Sequence, residues 1–94
     1  MIREFGTKHP RAREPLKAWY REAKAARWAG PEDLKERFAK ASVLGGRRIV
    51  FDIGGNNYRL VAKVRWATNR SKGKLFVRFI GTHAEYDRID ASTV

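Results

Sequence analysis

The spacing of apolar residues changes near residue 45, from a helical period in the first half of the chain to the alternation of β-strands in the second. In the first half, apolar residues recur three or four positions apart, as on one stripe of an α-helix. The clearest stripe consists of Leu16, Trp19, Tyr20, Ala23 and Ala26. After Gly45-Gly46, apolar and polar residues alternate, as on the two faces of a half-buried strand. The pattern predicts helices over residues 1–42 followed by antiparallel strands, which together make an α+β domain.

Prolines and glycines predict where the helices begin and end. Pro10 ends a first short helix over residues 2–9, because the residue before a proline is driven out of the α region. Pro15 fits only the first turn of a helix, so the second helix is expected to begin near residue 13. The segment Gly30-Pro31-Glu32-Asp33 then supplies a cap, a proline at the first helical position and two acids at the positive end of a third helix.

Three strands are predicted in the second half, with residues 54–57 (Gly-Gly-Asn-Asn) as a tight hairpin turn between the first two. The first strand places Ile49, Phe51 and Ile53 on one side. The second places Tyr58, Leu60, Ala62, Val64 and Trp66 inward, and Arg59, Val61, Lys63 and Arg65 on the opposite face. In the third, Leu75, Val77 and Phe79 alternate with Phe76, Arg78 and Ile80. The helices are therefore expected to pack on one face of this sheet.

Composition predicts one folded cytoplasmic domain. With 94 residues the chain has room for one core, and its 43% hydrophobic and 12% aromatic residues are enough to form it. Cysteine is absent, which excludes a disulfide scaffold and thiolate metal sites and is compatible with the cytosol. No apolar run approaches the ~18 residues of a membrane-spanning helix, and Met1–Phe5 lacks the apolar segment of a secretory signal. We expect a single domain over residues 1–94 that does not enter a membrane.

A formal net charge of +11 predicts a polyanionic partner for the chain. Between Ile53 and Ala84 there are seven basic residues and no acidic one. The seven are Arg59, Lys63, Arg65, Arg70, Lys72, Lys74 and Arg78. Without a carboxylate in this stretch, the cations are not expected to pair within the hairpin, and the positive surface predicts contacts with nucleic-acid phosphates. The alternative is a solvated strand face whose long side chains extend into water.

Thr82 and Glu85 have the spacing of a capping box, which predicts a short helix and a structural role for Glu85. His83 then occupies the first helical position, where the positive helix end disfavours the imidazolium. A neutral imidazole can accept a proton, so His83 is a candidate acid–base catalyst. The alternative is a histidine that only bonds a backbone carbonyl. His9, beside Pro10 at a helix end, is expected to be a surface residue.

The other candidate residues are a tyrosine and four cations on the predicted sheet. Tyr86 can donate a proton or stack on a base, or it can pack its ring in the core against Trp66 or Phe79. Arg78 is the first candidate for a phosphate because its planar fork suits bidentate contact, and Arg59 is the second. Lys63 and Arg65 follow as further phosphate-binding residues.

No residue pattern favours a metal or a cofactor. Asp52, Glu85, Asp87 and Asp90 form no tight carboxylate cluster, and His83 alone could join them as a nitrogen ligand. The chain has no Walker-type phosphate loop, and no serine or cysteine nucleophile with a partner base. The prediction is metal-free acid–base chemistry, by which RNA can be cut because its 2′-OH is an internal nucleophile.

Two separated segments resemble motifs of a known family. Gly81-Thr82-His83-Ala84-Glu85-Tyr86-Asp87 and the earlier Gly55-Asn56-Asn57-Tyr58-Arg59-Leu60 resemble motifs of the HigB family of bacterial type II toxins, within the RelE-like group. The resemblance extends over nearly the whole chain. It implies a RelE-like α+β fold, with N-terminal helices packed on a three- to four-stranded antiparallel sheet and a short C-terminal helix. Family members usually begin with a short β-strand, whereas this chain opens in helical sequence.

The resemblance also implies a function. RelE-like toxins are endoribonucleases (mRNA interferases) that cleave messenger RNA, commonly on the ribosome, and a cognate helix-turn-helix antitoxin is the expected partner of HigB-type members. In that function we expect His83 to act as base or acid, Tyr86 as its counterpart or as a stacking platform, and Arg78 with Arg59 on the phosphate. Two alternatives are a basic module that binds RNA or the ribosome without cutting, and a toxin of the same fold that acts on a protein such as gyrase, as ParE-type relatives do.

Overall fold

The computed structural model describes residues 2–55 and 57–94, so Met1 and the Asn56 of the predicted hairpin turn lie outside the described residues. Three helices come first, namely α1 (Ile2–Lys8), α2 (Arg13–Ala25) and α3 (Pro31–Arg37), with a 3₁₀ helix (Pro10–Ala12) before α2. Four strands follow, namely β1 (Ser42–Val43), β2 (Arg48–Ile53), β3 (Tyr58–Arg65) and β4 (Lys74–Thr82). Helix α4 (His83–Tyr86) continues directly from β4, which confirms the predicted α+β architecture. No helix in the described ranges is long and apolar enough to cross a membrane.

The strands form one antiparallel sheet in the order β1-β2-β3-β4. The β2–β3 hairpin pairs Ile53 with Tyr58, and Gly54 and Gly55 in its turn have φ angles of 64° and 71°, which favour glycine. Strand β1 adds a fourth strand to the three that the alternation predicts, at the edge opposite β4. Within the described residues the chain opens in helix, and no strand precedes α1.

The main core lies between the helices and one face of the sheet. The predicted inward positions of β2 and β3 are confirmed, since Ile49, Phe51, Ile53, Leu60, Ala62 and Val64 are buried there. Trp19 packs edge-on against Phe51 with ring centroids 5.3 Å apart, and burial of each such large side chain stabilises the fold by ~1.5–3 kcal/mol. Tyr20, predicted on the apolar stripe of α2, is instead 54% exposed, because it lies about 100° round the helix from its neighbour Trp19.

A β-bulge changes the predicted alternation of β4. The pairing register shifts between Val61 and Ala62 of β3, because Val61 pairs with Phe79 whereas Ala62 pairs with Val77. Arg78 is therefore the extra residue on β4, opposite no single partner. The expected alternation is wrong beyond the bulge, because Phe79 joins the face away from the helices whereas Ile80 packs against the main core.

A second, smaller cluster covers one end of the sheet face that points away from the helices. Val50 and Val61 are buried there against Ala91 of the C-terminal segment. Leu44, Phe79, Tyr86, Ile89 and Val94 pack around them and are partly buried. Arg48 Nε also donates a hydrogen bond to the backbone oxygen of Val94 at 2.9 Å. The C-terminal segment (residues 83–94) therefore covers part of this face, while exposed side chains occupy the rest.

Candidate active site

The predicted capping box is present and places His83 at the first position of α4. Thr82 Oγ1 accepts a hydrogen bond from the Glu85 backbone amide at 3.3 Å, and Glu85 Oε1 accepts one from the Thr82 amide at 2.8 Å. The hydrogen bond from the Thr82 backbone holds the pKa of Glu85 below its usual value, so the carboxylate stays ionised as a cap. The structural role predicted for Glu85 is confirmed.

Gly81 permits the close approach between the end of β4 and the start of α4. A Cβ atom at Gly81 would lie 2.6 Å from Cζ of Phe79 and 2.9 Å from Oε1 of Glu85. A larger residue would therefore displace the phenylalanine ring or the capping carboxylate. Gly81 pairs with Arg59 of β3, so the register brings this arginine alongside the first residues of α4.

Arg59 contacts three polar residues at the end of the sheet. Its Nη2 lies 2.9 Å from Nε2 of His83. Its Nε lies 3.2 Å from Oδ1 of Asp52, the residue opposite it on β2. Its guanidinium carbon lies 4.9 Å from the ring centroid of Tyr86, within the range of a cation–π interaction. The structure thus brings together three residues that the sequence predicts for the site, with Asp52 as an addition.

The contact with Arg59 restricts the hydrogen-bonding role of His83. A guanidinium carries only donors, so a hydrogen bond here runs from Nη2 of Arg59 to Nε2 of His83. This bond requires the tautomer whose proton is on Nδ1. The neutral proton acceptor expected at this helix start stays a prediction.

Tyr86 is partly buried and packs near Phe79, one of the two core partners that the sequence offers. Its ring centroid lies 6.5 Å from that of Phe79, within the smaller cluster. Trp66, by contrast, packs against the main core on the other face of the sheet. The guanidinium of Arg59 lies over the tyrosine ring, so Tyr86 both packs in the small core and supports the arginine of the site.

Lys63, Arg65 and Arg78 lie along a shallow groove on the same sheet face. The groove has a volume of about 290 Å³ and is lined by Arg47, Lys63, Val64, Arg65, Phe76 and Arg78. Every ionisable side chain in this lining is a cation, so the groove concentrates positive charge. Lys63 is four residues beyond Arg59 on β3, or roughly 13 Å along the strand. The groove therefore lies on the same sheet face as the candidate site, beyond the small cluster around Val61.

The pairing of Arg59 corrects the expectation that cations of the acid-free stretch do not pair within the hairpin. Asp52 lies just outside that stretch, but the hairpin register places it opposite Arg59. Both side chains are largely shielded from water, with 24% of Arg59 and 26% of Asp52 exposed. The sequence signal that could have revealed this pair is the hairpin turn. A four-residue loop between Ile53 and Tyr58 places Asp52 and Arg59, each one residue further from the loop, opposite each other.

His9 is not the surface residue that the sequence predicts. Its ring is half-buried, stacks on Phe5 with centroids 4.3 Å apart, and meets the edge of Tyr58 at 5.6 Å. The four-residue spacing from Phe5 explains the difference, because residues at i and i+4 lie on the same helix face. His9 therefore extends the apolar face of α1 over the end of β3.

Within the described residues, neither a metal cluster nor the groove between α1 and α2 offers a competing site. Within residues 2–55 and 57–94, no three histidine, cysteine or carboxylate side chains lie close enough together to hold a metal ion. A groove of about 560 Å³ is lined by Ile2, Arg3, Gly6, Thr7, Arg13, Leu16, Lys17 and Tyr20. Its lining holds no histidine and no carboxylate, so it lacks the proton acceptor found at the start of α4.

Comparisons with known proteins identify the family of the chain. Residues 12–89 match the HigB toxin family, described as the RelE-like toxic component of a toxin–antitoxin system. The chain is also similar to a protein of Escherichia coli O6:H1 named mRNA interferase HigB, with 32% identity over 88 residues, which cover 92% of this chain and 82% of that protein. The family match includes the hairpin and the segment from Gly81 to Asp87. The chain therefore belongs to the HigB family of RelE-like toxins, the toxic components of toxin–antitoxin systems.

Proposed function

We propose that this HigB-family toxin is an endoribonuclease that cleaves messenger RNA by metal-free acid–base chemistry. The observation that carries the proposal is the 2.9 Å contact between Nη2 of Arg59 and Nε2 of His83, which sets a cation that can bind a phosphate beside a ring nitrogen that can accept a proton. The similar Escherichia coli protein is named an mRNA interferase, which supports messenger RNA as the substrate. Glu85 caps α4 and Asp52 pairs with Arg59, so the proposal assigns no metal to either carboxylate.

In the first half of the proposed reaction, the scissile phosphate binds Arg59. The N–H that points to His83 turns to a phosphate oxygen, which leaves Nε2 to accept the proton of the adjacent 2′-OH. The 2′ oxygen then attacks the phosphorus, and the guanidinium stabilises the charge that develops on the phosphoryl oxygens. Asp52 lies 3.2 Å from Nε of the same guanidinium, so it keeps the arginine oriented while Nη2 exchanges partners.

In the second half, the bond from phosphorus to the 5′ oxygen breaks, and this oxygen takes up a proton. Tyr86 is the proposed donor, because its ring lies beneath the guanidinium of Arg59, the proposed ligand of the phosphate. The guanidinium over the ring stabilises the phenolate that remains after donation. One RNA fragment then ends in a 2′,3′-cyclic phosphate and the other begins with a 5′-hydroxyl. The reverse assignment needs a proton on Nε2 of His83, which could not then accept a hydrogen bond from Arg59.

The ribosome is the proposed place of cleavage. The site consists of one base, one acid and one arginine at the edge of an open sheet face, so it does little to orient a flexible RNA. A messenger RNA held by the ribosome arrives in a defined conformation, and well-oriented reactions reach effective molarities of about 10⁵–10⁸ M. The net charge of +11 attracts the protein to the ribosomal RNA surface. Cleavage on the ribosome should therefore be much faster than cleavage of free RNA.

The proposed protein partner is a cognate antitoxin with a helix-turn-helix domain, in the cytoplasm where messenger RNA is translated. Membership of a toxin–antitoxin family supports the existence of this partner. An antitoxin can neutralise the proposed activity by covering Arg59 and His83, or by making the toxin too bulky to enter the ribosome.

Expression of the chain in bacteria tests the proposed function. Induction is expected to stop growth and to fragment messenger RNA, and co-expression of the antitoxin should restore both. Unchanged growth with intact messenger RNA, while the protein is soluble and folded, would refute the proposal. Growth arrest with intact messenger RNA and inhibited gyrase would favour the ParE-type alternative, and RNA binding without fragments would favour a module that does not cut.

A further inference from the structure

Phe76 is an exposed aromatic residue on the same sheet face as Arg59. It lies on β4 opposite Lys63, and 46% of its surface is exposed. Arg59, Lys63 and Arg65 share this face of β3, because residues two apart along a strand point to the same side. The ring therefore stands beside side chains that are candidates for phosphate binding, on the same sheet face as the candidate active site.

The surroundings of Phe76 distinguish it from an ordinary exposed side chain. A single exposed phenylalanine is common on protein surfaces and does not by itself indicate a site. Phe76, however, lines the groove of about 290 Å³ with Arg47, Lys63, Val64, Arg65 and Arg78. Four of these six lining residues are cations and none is acidic. An apolar ring among cations suits a ligand that combines a flat base with phosphates.

Arg47 enters this groove from a strained backbone conformation. Its φ angle of 59° lies in the left-handed region, which a non-glycine residue adopts at a cost. The Arg47 carbonyl accepts a hydrogen bond from the Val64 amide at 2.8 Å, which holds the turn against β3. A glycine would relieve this strain, so an arginine at the position is expected where its cation has a use.

We propose that Phe76 is a stacking platform for a base of the RNA substrate, with Lys63, Arg65 and Arg78 around the neighbouring phosphates. This proposal rests on the proposed ribonuclease function and adds a substrate subsite to it. The subsite begins roughly 13 Å along β3 from the arginine of the reacting phosphate, so it serves a nucleotide that flanks the cleavage site. Because every base has a π-face, the platform accepts single-stranded RNA with little sequence preference.

Binding of a single-stranded oligoribonucleotide with 2′-O-methyl groups tests the proposal, because the methyl groups block the attacking hydroxyl and the RNA stays intact. Phe76→Ala is expected to weaken binding by about 5- to 150-fold, the range for loss of one base–aromatic stack. Phe76→Trp keeps a stacking surface and is expected to bind at least as tightly as the parent. The dependence of affinity on salt should be unchanged in Phe76→Ala, because no charge is removed.

Two further variants are matched controls. Lys63→Ala removes a cation from the same groove and is expected to reduce the slope of log affinity against log salt by ~0.7, the value for one phosphate on a single strand. Tyr20→Ala removes a more exposed ring, 54% against 46% for Phe76, from α2 outside the groove, and it should bind RNA like the parent. Thermal unfolding of each variant should give a midpoint close to that of the parent, because both rings are exposed.

The possible outcomes separate this proposal from the function on which it rests. Equal RNA binding by Phe76→Ala and the parent overturns the stacking platform. If the parent still cleaves RNA in that case, the proposed ribonuclease function is unaffected. If Phe76→Ala keeps its affinity for RNA but loses its affinity for the cognate antitoxin, the ring is a protein contact and the proposal is likewise overturned. A parent protein that binds neither free RNA nor RNA on the ribosome overturns both proposals.

Discussion

Replacement of His83 with alanine is expected to slow RNA cleavage by about 10²- to 10⁴-fold, the usual contribution of a general acid or base. The variant removes Nε2, the proton acceptor that lies 2.9 Å from Nη2 of Arg59. Thr82 and Glu85 form the capping box without the histidine side chain, so α4 should persist. RNA affinity should also persist, because the cations of the site and the groove remain. Single-turnover cleavage of ribosome-bound messenger RNA gives the cleavage rate, and a separate binding measurement gives the RNA affinity.

The control for this result is the other histidine of the chain. His9→Phe keeps an aromatic ring on Phe5 and is expected to cleave like the parent. Tyr86→Phe separates the two proton transfers, because it keeps the ring beneath Arg59 and removes only the hydroxyl. If His83→Ala cleaves at the parental rate while Tyr86→Phe is inactive, the tyrosine carries the proton transfer assigned to the histidine. Full activity of both variants would place the active site elsewhere.

Replacement of Arg59 with alanine is expected to reduce both cleavage and stability. Cleavage should fall by about 10²- to 10³-fold, the usual effect of removing a group that stabilises charge in the transition state. The free energy of unfolding should fall by roughly 1 to 3 kcal/mol, between the values for exposed and buried ion pairs. The reason is that Asp52 is only 26% exposed and would lose its cross-strand cation. Urea unfolding measures the second effect independently of the first.

Two other variants separate the chemical from the structural effect of Arg59. Arg59→Lys keeps a positive charge opposite Asp52 but lacks the planar fork that also reaches His83, so stability should largely return and cleavage should not. Adding Asp52→Asn to Arg59→Ala removes the unpaired carboxylate and should likewise restore stability alone. An Arg59→Ala protein that cuts RNA at the parental rate would contradict the role of this arginine on the phosphate.

The elements that the sequence predicts well are those with a local signal. Pro15 and Gly30-Pro31 indicate the starts of two helices, and the structure begins α2 at Arg13 and α3 at Pro31. The hairpin and the capping box also depend on residues within a few positions of one another. Such preferences act on the backbone directly, so they can be inferred without any knowledge of tertiary contacts.

Features that depend on pairing between distant segments are not predicted. Apolar residues lie on both faces of β4 between Leu75 and Ile80, so alternation does not reveal the bulge at Arg78. The small cluster of Val50, Val61 and Ala91 forms only when the C-terminal segment folds over the sheet. The apolar alternation of β2 and β3 does not indicate that the C-terminal segment covers one end of the sheet face away from the helices and leaves the other end exposed.

Within the candidate site, too, residues with a local sequence signal are predicted and residues that meet only in the fold are missed. His83 and Glu85 belong to one short segment with a capping signal, and the sequence predicts the position of both. Asp52 is missed as the partner of Arg59 because the two residues meet only across the hairpin register. Phe76 is missed because its exposure depends on where the C-terminal segment stops covering the sheet. The local geometry around His83 is thus predicted from the sequence, whereas the partner of Arg59 and the groove on the same sheet face require the fold.

The chemical ends of the RNA fragments test the central claim most directly. In this experiment, ribosome-bound messenger RNA is incubated with the parent protein, and the new RNA ends are identified by mass spectrometry. Attack by the 2′-OH predicts a 2′,3′-cyclic phosphate on one fragment and a 5′-hydroxyl on the other, and no cleavage where a single 2′-deoxynucleotide precedes the cut. Fragments with a 5′-phosphate, or undiminished cleavage after the 2′-deoxynucleotide, would contradict the account, because the attacking group would then be water rather than the RNA itself.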